Sequence, residues 1–310
     1  MNGPSTLCIG AQKAGTTWLY RCLENRPDVW LPPVKELHFF DEKIGSSDRW
    51  IDHMHGTKAP AARWRRQLAA ERQRRARNSD IDDIELARRA WCSRYFFEDP
   101  TVDWYRSLFP DRAVASLDIS PEYALLDEAG IERVITVVPD IRVIYLLRNP
   151  IEREWSGAQM RFRKNPDRGL ETVLAGRHRH VRYLDTVDRW TAALEPEHFY
   201  IGWFDDIAAH PAELLADIAR FIGADPNISS LPRGRPNSGN VTTIPAEFAQ
   251  RLAIDLHDEI DGLARRFDGP ARRWAQLADQ LHSSEPVGDI AYPLAGHAER
   301  GSETISSMIL

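Results

Sequence analysis

Three cysteines in 310 residues, Cys8, Cys22 and Cys92, do not make a disulfide framework. Cys8 falls in a strand-like pattern and Cys22 in a helix-like one, so both read as buried thiols. The 10 histidines show no zinc-ligand spacing such as C-x-x-C or H-E-x-x-H. His53 and His55 form a close pair, which is too little for a metal site, and no metal is expected. G-x-S-x-G is absent, which removes the footing for serine hydrolase chemistry. No run approaches membrane-spanning length, and no basic segment followed by an apolar stretch opens the chain. A cytoplasmic location and no membrane contact are therefore expected. A net charge of −6 argues against nucleic acid or anionic lipid as a general partner. Internal repeats and low-complexity tracts are lacking as well.

What is present is an ordinary globular composition, 43% hydrophobic and 28% charged, in a length that suits one large α/β domain or two small ones. Strand-like and helix-like segments alternate, which predicts a parallel sheet with helices on both faces. Strands are expected at 5–11, 113–117, 141–147 and 199–204. Helices are expected at 15–25, 127–138, 151–163, 171–175, 180–193 and 211–222, the last ending at Gly223. Residues 58–90, rich in arginine and without strand signal, read as a helical insertion. It is either a solvated hairpin or a lid presenting arginines to an anionic substrate. The reading is a single domain over 1–282 with a polar tail over 283–310, flexible or packed as an extended arm.

The segment Leu7-Cys-Ile-Gly10-Ala-Gln-Lys13-Ala14-Gly15-Thr16-Thr17-Trp18 is an apolar run, a glycine-bracketed turn and the start of an apolar-periodic helix. Such a strand–turn–helix directs free backbone N–H groups and a positive helix N-terminus at one spot, a phosphate site. The ATP-binding loop G-x-x-x-x-G-K-[ST] has its lysine after the second glycine, whereas here Lys13 precedes Gly15. The loop is built for phosphate but is not a standard ATP loop.

A second segment, Tyr145-Leu-Leu-Arg148-Asn-Pro150-Ile-Glu-Arg153-Glu-Trp-Ser156, puts an arginine at the end of a buried strand, where open α/β sheets bind ligands. Pro150 then opens a helix, and Ser156 follows about two turns along it. Arg148 as a bidentate fork and Ser156 as a further donor can meet one anion. His178 and His180, in an arginine-rich stretch, read as facing solvent. Asp205-Asp206 reads as a solvated strand end, with a magnesium-binding carboxylate pair as the alternative.

Together these two segments resemble the phosphate-binding elements of sulfotransferases that use 3′-phosphoadenosine-5′-phosphosulfate (PAPS). Lys35-Glu36-Leu-His38-Phe39-Phe40, Asp103-Trp104-Tyr105, Phe109-Pro110, Ser120-Pro121-Glu-Tyr123 and Phe221-Ile-Gly223 extend the likeness to the heparan-sulfate branch and its bacterial relatives, over roughly residues 5–240. The resemblance implies a P-loop-NTPase-like three-layer sandwich with a mainly parallel central sheet. It implies sulfuryl transfer from PAPS, with 3′-phosphoadenosine-5′-phosphate (PAP) as product and no metal. Lys13 is then the cation beside the bridging phosphate oxygen, and Ala14, Gly15, Thr16 and Thr17 hold the 5′-phosphate. Arg148 and Ser156 hold the 3′-phosphate. Trp18 matches a position that packs on adenine in some relatives, with a plain core tryptophan as the alternative. Glu36 aligns with the general base of the heparan-sulfate branch, and its apolar neighbours suggest a raised pKa. His38 is the competing base, or a substrate contact. Arg233, Gly234 and Arg235 fit the glycine-basic loop at the 3′-phosphate.

Two departures bear on the acceptor. Relatives often carry lysine where this chain has Ile119, after Asp118, and the histidine of the later loop is missing from Arg233-Gly-Arg-Pro-Asn237. The expected acceptor is a hydroxyl, less readily an amine, of a small natural product or carbohydrate. A homodimer is expected by analogy with bacterial relatives. The rival readings are an ATP-dependent kinase with an atypical loop and a PAP-binding scaffold without catalysis.

Overall fold

A computed structural model of the chain describes residues 3–41, 90–95, 98–110, 115–164, 178–228, 230–232, 243–294 and 308–309. The arginine-rich insertion up to residue 89, the helix expected at 171–175, the pair His53 and His55, and Arg233–Arg235 lie outside the described residues.

The centre is a six-stranded sheet in the order β2-β3-β1-β4-β5-β8. Its strands are β1 (Thr6–Gly10), β2 (Val29–Trp30), β3 (Ala115–Ile119), β4 (Arg142–Leu147), β5 (Phe199–Trp203) and β8 (Met308–Ile309). All neighbours are parallel except β8, which joins β5 antiparallel at the edge. β6 (Thr243–Pro245) and β7 (Asp289–Ala291) form a separate antiparallel pair. The three central strands β1, β4 and β5 are apolar along almost their whole length because helices cover both faces. The mainly parallel sheet flanked by helices is the fold class predicted, while β2, β8 and the helices after residue 245 are additional to the elements expected.

The helices are held by stripes at helical spacing. In Pro211–Ile222, Leu214, Leu215, Ile218 and Ile222 are all buried, and Gly223 at φ 79° closes the helix in the left-handed region. Three further helices, Ala246–Asp255, His257–Arg266 and Pro270–Ser283, bury Phe248, Leu252, Ile260, Leu263 and Trp274. Each such side chain withdrawn from water contributes about 1.5–3 kcal/mol. β3 runs two residues further than expected, because its polar residues Ser116 and Asp118 are buried with the apolar ones. From Asp289 to Ala291 the C-terminal segment is an extended arm laid on β6. No helix among the described residues is long and apolar enough to cross a membrane.

The site is positioned by the strand order. β1 lies between β3 and β4, so the chain leaves it on one side towards β2 and β3 and later returns on the other to β4 and β5. The crevice at the carboxyl ends of β1 and β4 is the switch point where open α/β sheets bind ligands.

Candidate active site

Both phosphate-site segments open on this crevice and touch. The Arg148 guanidinium, just after β4, donates from Nη1 to the Lys13 carbonyl at 3.2 Å. Arg153, one turn into the helix Pro150–Lys164, donates to the Gln12 carbonyl at 3.0 Å and to Gln12 Oε1 at 3.1 Å. The loop between β1 and α1 (Thr16–Leu23) is thereby clamped from the β4 side. Gly15 caps α1 at φ 101° and offers no side-chain cap. A Cβ there would lie 2.3 Å from Ile207 Cδ1, so conformation and space both demand glycine. The N–H groups of the first turn have no intrahelical acceptors, and the helix dipole adds positive potential.

Among the described residues, three other than glycine have left-handed backbone: Lys13 at φ 73°, Glu36 at φ 67° and His38 at φ 59°. They are the three residues that the sequence nominates for chemistry. Such conformations cost on the order of 1 kcal/mol each and persist where the surroundings impose them. The imposing structure under Glu36 and His38 is aromatic. Phe39 stacks on Tyr105 at 4.3 Å between centroids, and Phe40 meets Tyr105 and Tyr123 edge-on. Below the rings, fully buried Asp118 accepts from the Tyr105 and Tyr123 hydroxyls at 2.9 Å and from Ser120 Oγ at 2.6 Å. Burial pushes the Asp118 carboxyl up, against the pull of those three donors. The Tyr123 hydroxyl also accepts from the Phe39 amide at 2.8 Å. The scattered segments around 35–40, 103–110 and 118–123 are thus one scaffold for one loop.

At the tip of that loop the polar groups line up. His38 Nδ1 is 2.6 Å from Asp41 Oδ2, and its Nε2 is 3.8 Å from Glu36 Oε2. Asp41, buried at the far end, orients the ring towards Glu36; only its spacing from His38 hinted at it in the sequence. Glu36 itself is not set among apolar side chains as expected. Its side chain is 41% exposed and is ion-paired with Lys35 Nζ at 2.8 Å. A carboxylate that faces solvent beside an imidazole can accept a proton from a bound hydroxyl and is neutralised in doing so.

Arg148 is buried, and its hydrogen bonds engage all but one of the guanidinium N–H groups. Nε and Nη2 donate to Glu152 Oε2 at 3.1 and 2.9 Å, and Nη2 also donates to the Tyr292 hydroxyl at 2.5 Å. The guanidinium also lies 4.2 Å over the Phe204 ring. Burial works against its charge, but Glu152 and Tyr292 outweigh it and raise its pKa. Tyr292 thus brings the C-terminal arm onto Arg148, a residue nominated for the 3′-phosphate. Glu152 Oε1 holds the arm by accepting from the Leu294 amide at 2.8 Å. Glu152 sits four residues after Arg148 on a helix, a legible ion-pair spacing. Tyr292, by contrast, had no local signal. Trp18 is packed in the core at 6% exposure, and Ala14 and Thr16 are buried beside it.

The remaining polar readings change. His178 does not face open solvent: its ring lies 3.7 Å from Glu154 and 3.9 Å from Asp255. Burial and then the Arg153 charge hold His180 down at about 4. Glu154 is raised by burial, but His178 and Arg153 overrule this and hold it at about 2. Asp205 and Asp206 are not a solvated strand end. Asp206 is buried, and Asp205 accepts from the Trp274 indole at 3.3 Å while burial lifts its pKa to about 6. No group of three or more His, Cys, Asp or Glu among the described residues is arranged to hold a metal.

Comparison with known proteins gives the family and the fold. A family profile described as the sulfotransferase family matches residues 4–227. Mouse heparan sulfate glucosamine 3-O-sulfotransferase 6 is 25% identical, with 42% of each chain aligned. Its human counterpart is 26% identical over 39% of each chain. The match therefore spans about two fifths of the length of these curated relatives. Among solved structures, a sulfotransferase from Alicyclobacillus acidocaldarius superposes with a TM-score of 0.55 at 20% identity, covering 84% of this chain and 94% of the other. The sulfotransferase domain of the Synechococcus PCC 7002 olefin synthase gives 0.51 at 18% identity, covering 92% and 98%. These likenesses show the fold.

Proposed function

The chain belongs to the sulfotransferase family and is a sulfotransferase enzyme, and from that premise we propose that it transfers the sulfuryl group of PAPS to a hydroxyl and releases PAP. The observation that carries this reading is the coincidence of left-handed backbone with the three residues nominated for the chemistry, Lys13, Glu36 and His38. They stand around the uncapped start of α1, and Arg148 is clamped to the same loop.

The residues present fit such a donor. The buried ammonium of Lys35, 7% exposed, lies at the threonine hydroxyls of the loop, and buried Arg148 sits across the crevice. Both are cations placed where a doubly phosphorylated nucleotide needs them. Lys13, Ala14, Gly15, Thr16 and Thr17 are proposed to hold the 5′ end, and Arg148 and Ser156 the 3′-phosphate. Arg233, Gly234 and Arg235 are assigned to the same phosphate by sequence alone. The donor supplies an activated sulfuryl group on a phosphate leaving group. Glu36 takes the acceptor proton on its carboxylate, His38 steadies the neutralised pair, and Asp41 fixes the imidazole. Positioning and fixed charge then supply most of the acceleration.

For the acceptor, we propose a hydroxyl of a small natural product or a carbohydrate. Similarity to glucosamine 3-O-sulfotransferases supports oxygen as the target. A strongly acidic polysaccharide is disfavoured, because Ile119 and Asp118 stand buried where a lysine would meet it. The domain is proposed to extend over 1–282.

Calorimetric titration with PAP and with ATP–magnesium tests the donor. Binding of PAP in the micromolar range, about 8 kcal/mol, and well ahead of ATP supports it. A magnesium-dependent preference for ATP would overturn it in favour of a kinase.

A further inference from the structure

We propose that Lys35 is a second cation of the donor site, gripping the 5′-phosphate end alongside Lys13; this rests on the PAPS reading above. Lys35 lies outside the phosphate loop, directly before the nominated base. Its side chain is 7% exposed, and Nζ stands 3.3 Å from Thr16 Oγ1, 3.5 Å from Thr17 Oγ1 and 2.8 Å from Glu36 Oε1.

The bland alternative is a lysine pairing with its sequence neighbour. Two observations argue against it. A lysine serving only an exposed glutamate gains little from burial, and withdrawing an ammonium from water costs several kcal/mol. This one is nine-tenths buried, while its glutamate partner is 41% exposed. Secondly, the ammonium reaches across to another element and lands on both hydroxyls of the first turn of α1, where unsatisfied N–H groups already favour an anion. Ammonium, hydroxyls and amides converge, and Glu36 is the one carboxylate that the described residues bring to Nζ.

The position also explains the departure at β3. Where relatives carry lysine before Ser-Pro, this chain has buried Asp118 and Ile119. The loop bearing Lys35 passes over the same strand end, with the His38 amide 3.5 Å from Ser120 Oγ. Lys35 brings the cation from the adjacent loop instead. In the reaction the acceptor oxygen bonds to sulfur as the bond from sulfur to the bridging phosphate oxygen breaks. The electron pair stays on that phosphate, where the Lys35 charge offsets it, and the acceptor proton goes to Glu36.

The test compares wild type, Lys35→Arg and Lys35→Gln by calorimetry with two probes, PAP and adenosine 3′-monophosphate, which lacks the 5′-phosphate. Lys35→Gln should weaken PAP about tenfold or more, Lys35→Arg by less than about threefold, and adenosine 3′-monophosphate should be unaffected in both. Equal loss of both probes would mean a collapsed loop, and unchanged PAP binding an idle lysine; either overturns the proposal. A wild type that does not bind PAP would instead sink the PAPS reading itself. If Lys35→Gln does not fold, Lys35→Met is titrated against the same two probes.

Discussion

Replacing Arg148 should separate stability from donor affinity. The guanidinium and Glu152 are both buried, at 7% and 4% exposure, and share two hydrogen bonds at 3.1 and 2.9 Å. Arg148→Met leaves the Glu152 carboxylate in the interior with the Leu294 amide as its remaining donor. Stranding a buried charge in this way costs about 3–5 kcal/mol. At roughly 2 °C per kcal/mol for a chain of this size, the melting midpoint should fall by about 6–10 °C. Adding Glu152→Gln removes the stranded charge and should restore more than half of that loss. Affinity should not follow. The one guanidinium N–H left over can make a single charge-assisted contact to the 3′-phosphate, worth about 1.5–3 kcal/mol, so PAP should weaken at least about tenfold in both variants. Differential scanning calorimetry and PAP titration read the two quantities on the same samples. A single variant melting with wild type, or a double variant no more stable than the single, would refute the buried-pair reasoning. Recovery of PAP binding in the double variant would remove Arg148 from the donor site.

Glu36→Gln should leave PAP binding within about threefold yet slow PAPS-dependent sulfation of a screened acceptor by about 10²–10⁴-fold, followed as PAP release; near-normal turnover would remove Glu36 as base. Glu154 lies at about 2 in the folded protein, below its ordinary 4.5, so its contribution is full above pH 4.5 and is lost as pH falls towards 2. Glu154→Gln should therefore flatten the acid limb of a stability–pH profile by about 3 kcal/mol, and an unchanged limb would contradict the assignment. Gly15→Ala drives a methyl to 2.3 Å from Ile207 Cδ1 at φ 101° and should lower stability by about 1–3 kcal/mol in urea melts. Ile207→Val in the same chain should return part of that loss, and no return would mean that backbone strain alone is responsible.

How far the sequence reveals the structure depends on where each partner comes from. β1, β4 and β5 are legible because strands buried on both faces are apolar runs. β3 is blurred by Asp118, which reads as a strand end but is satisfied by hydroxyls of Ser120 and Tyr123 just beyond it and of Tyr105 from another segment. β2 has two residues, too few for any period. Lys13, Gly15 and Arg148 are legible because phosphate chemistry fixes residue type and spacing within one short segment. Tyr292 is not, because it meets Arg148 from 144 residues away. Nor is the exposure of Glu36, since neighbours in sequence such as Phe39 and Phe40 turn inward while it turns out.

The central place of β1 has a consequence for synthesis. Residues of the phosphate loop leave the ribosome well before the strands that pair around them, and the strand before the loop has no partner close in sequence. Ser5, just ahead of β1, bonds to Ser116 across 111 residues, and the Lys13 carbonyl waits for Arg148 across 135. At about 5–20 residues per second, that separation leaves the apolar strand unpaired for roughly 6–27 seconds on each nascent chain. The loop is therefore made before its partners and becomes a site only after them, so donor nucleotide cannot template its early folding. Chaperone supply during translation, rather than ligand in the growth medium, should govern the yield of native protein.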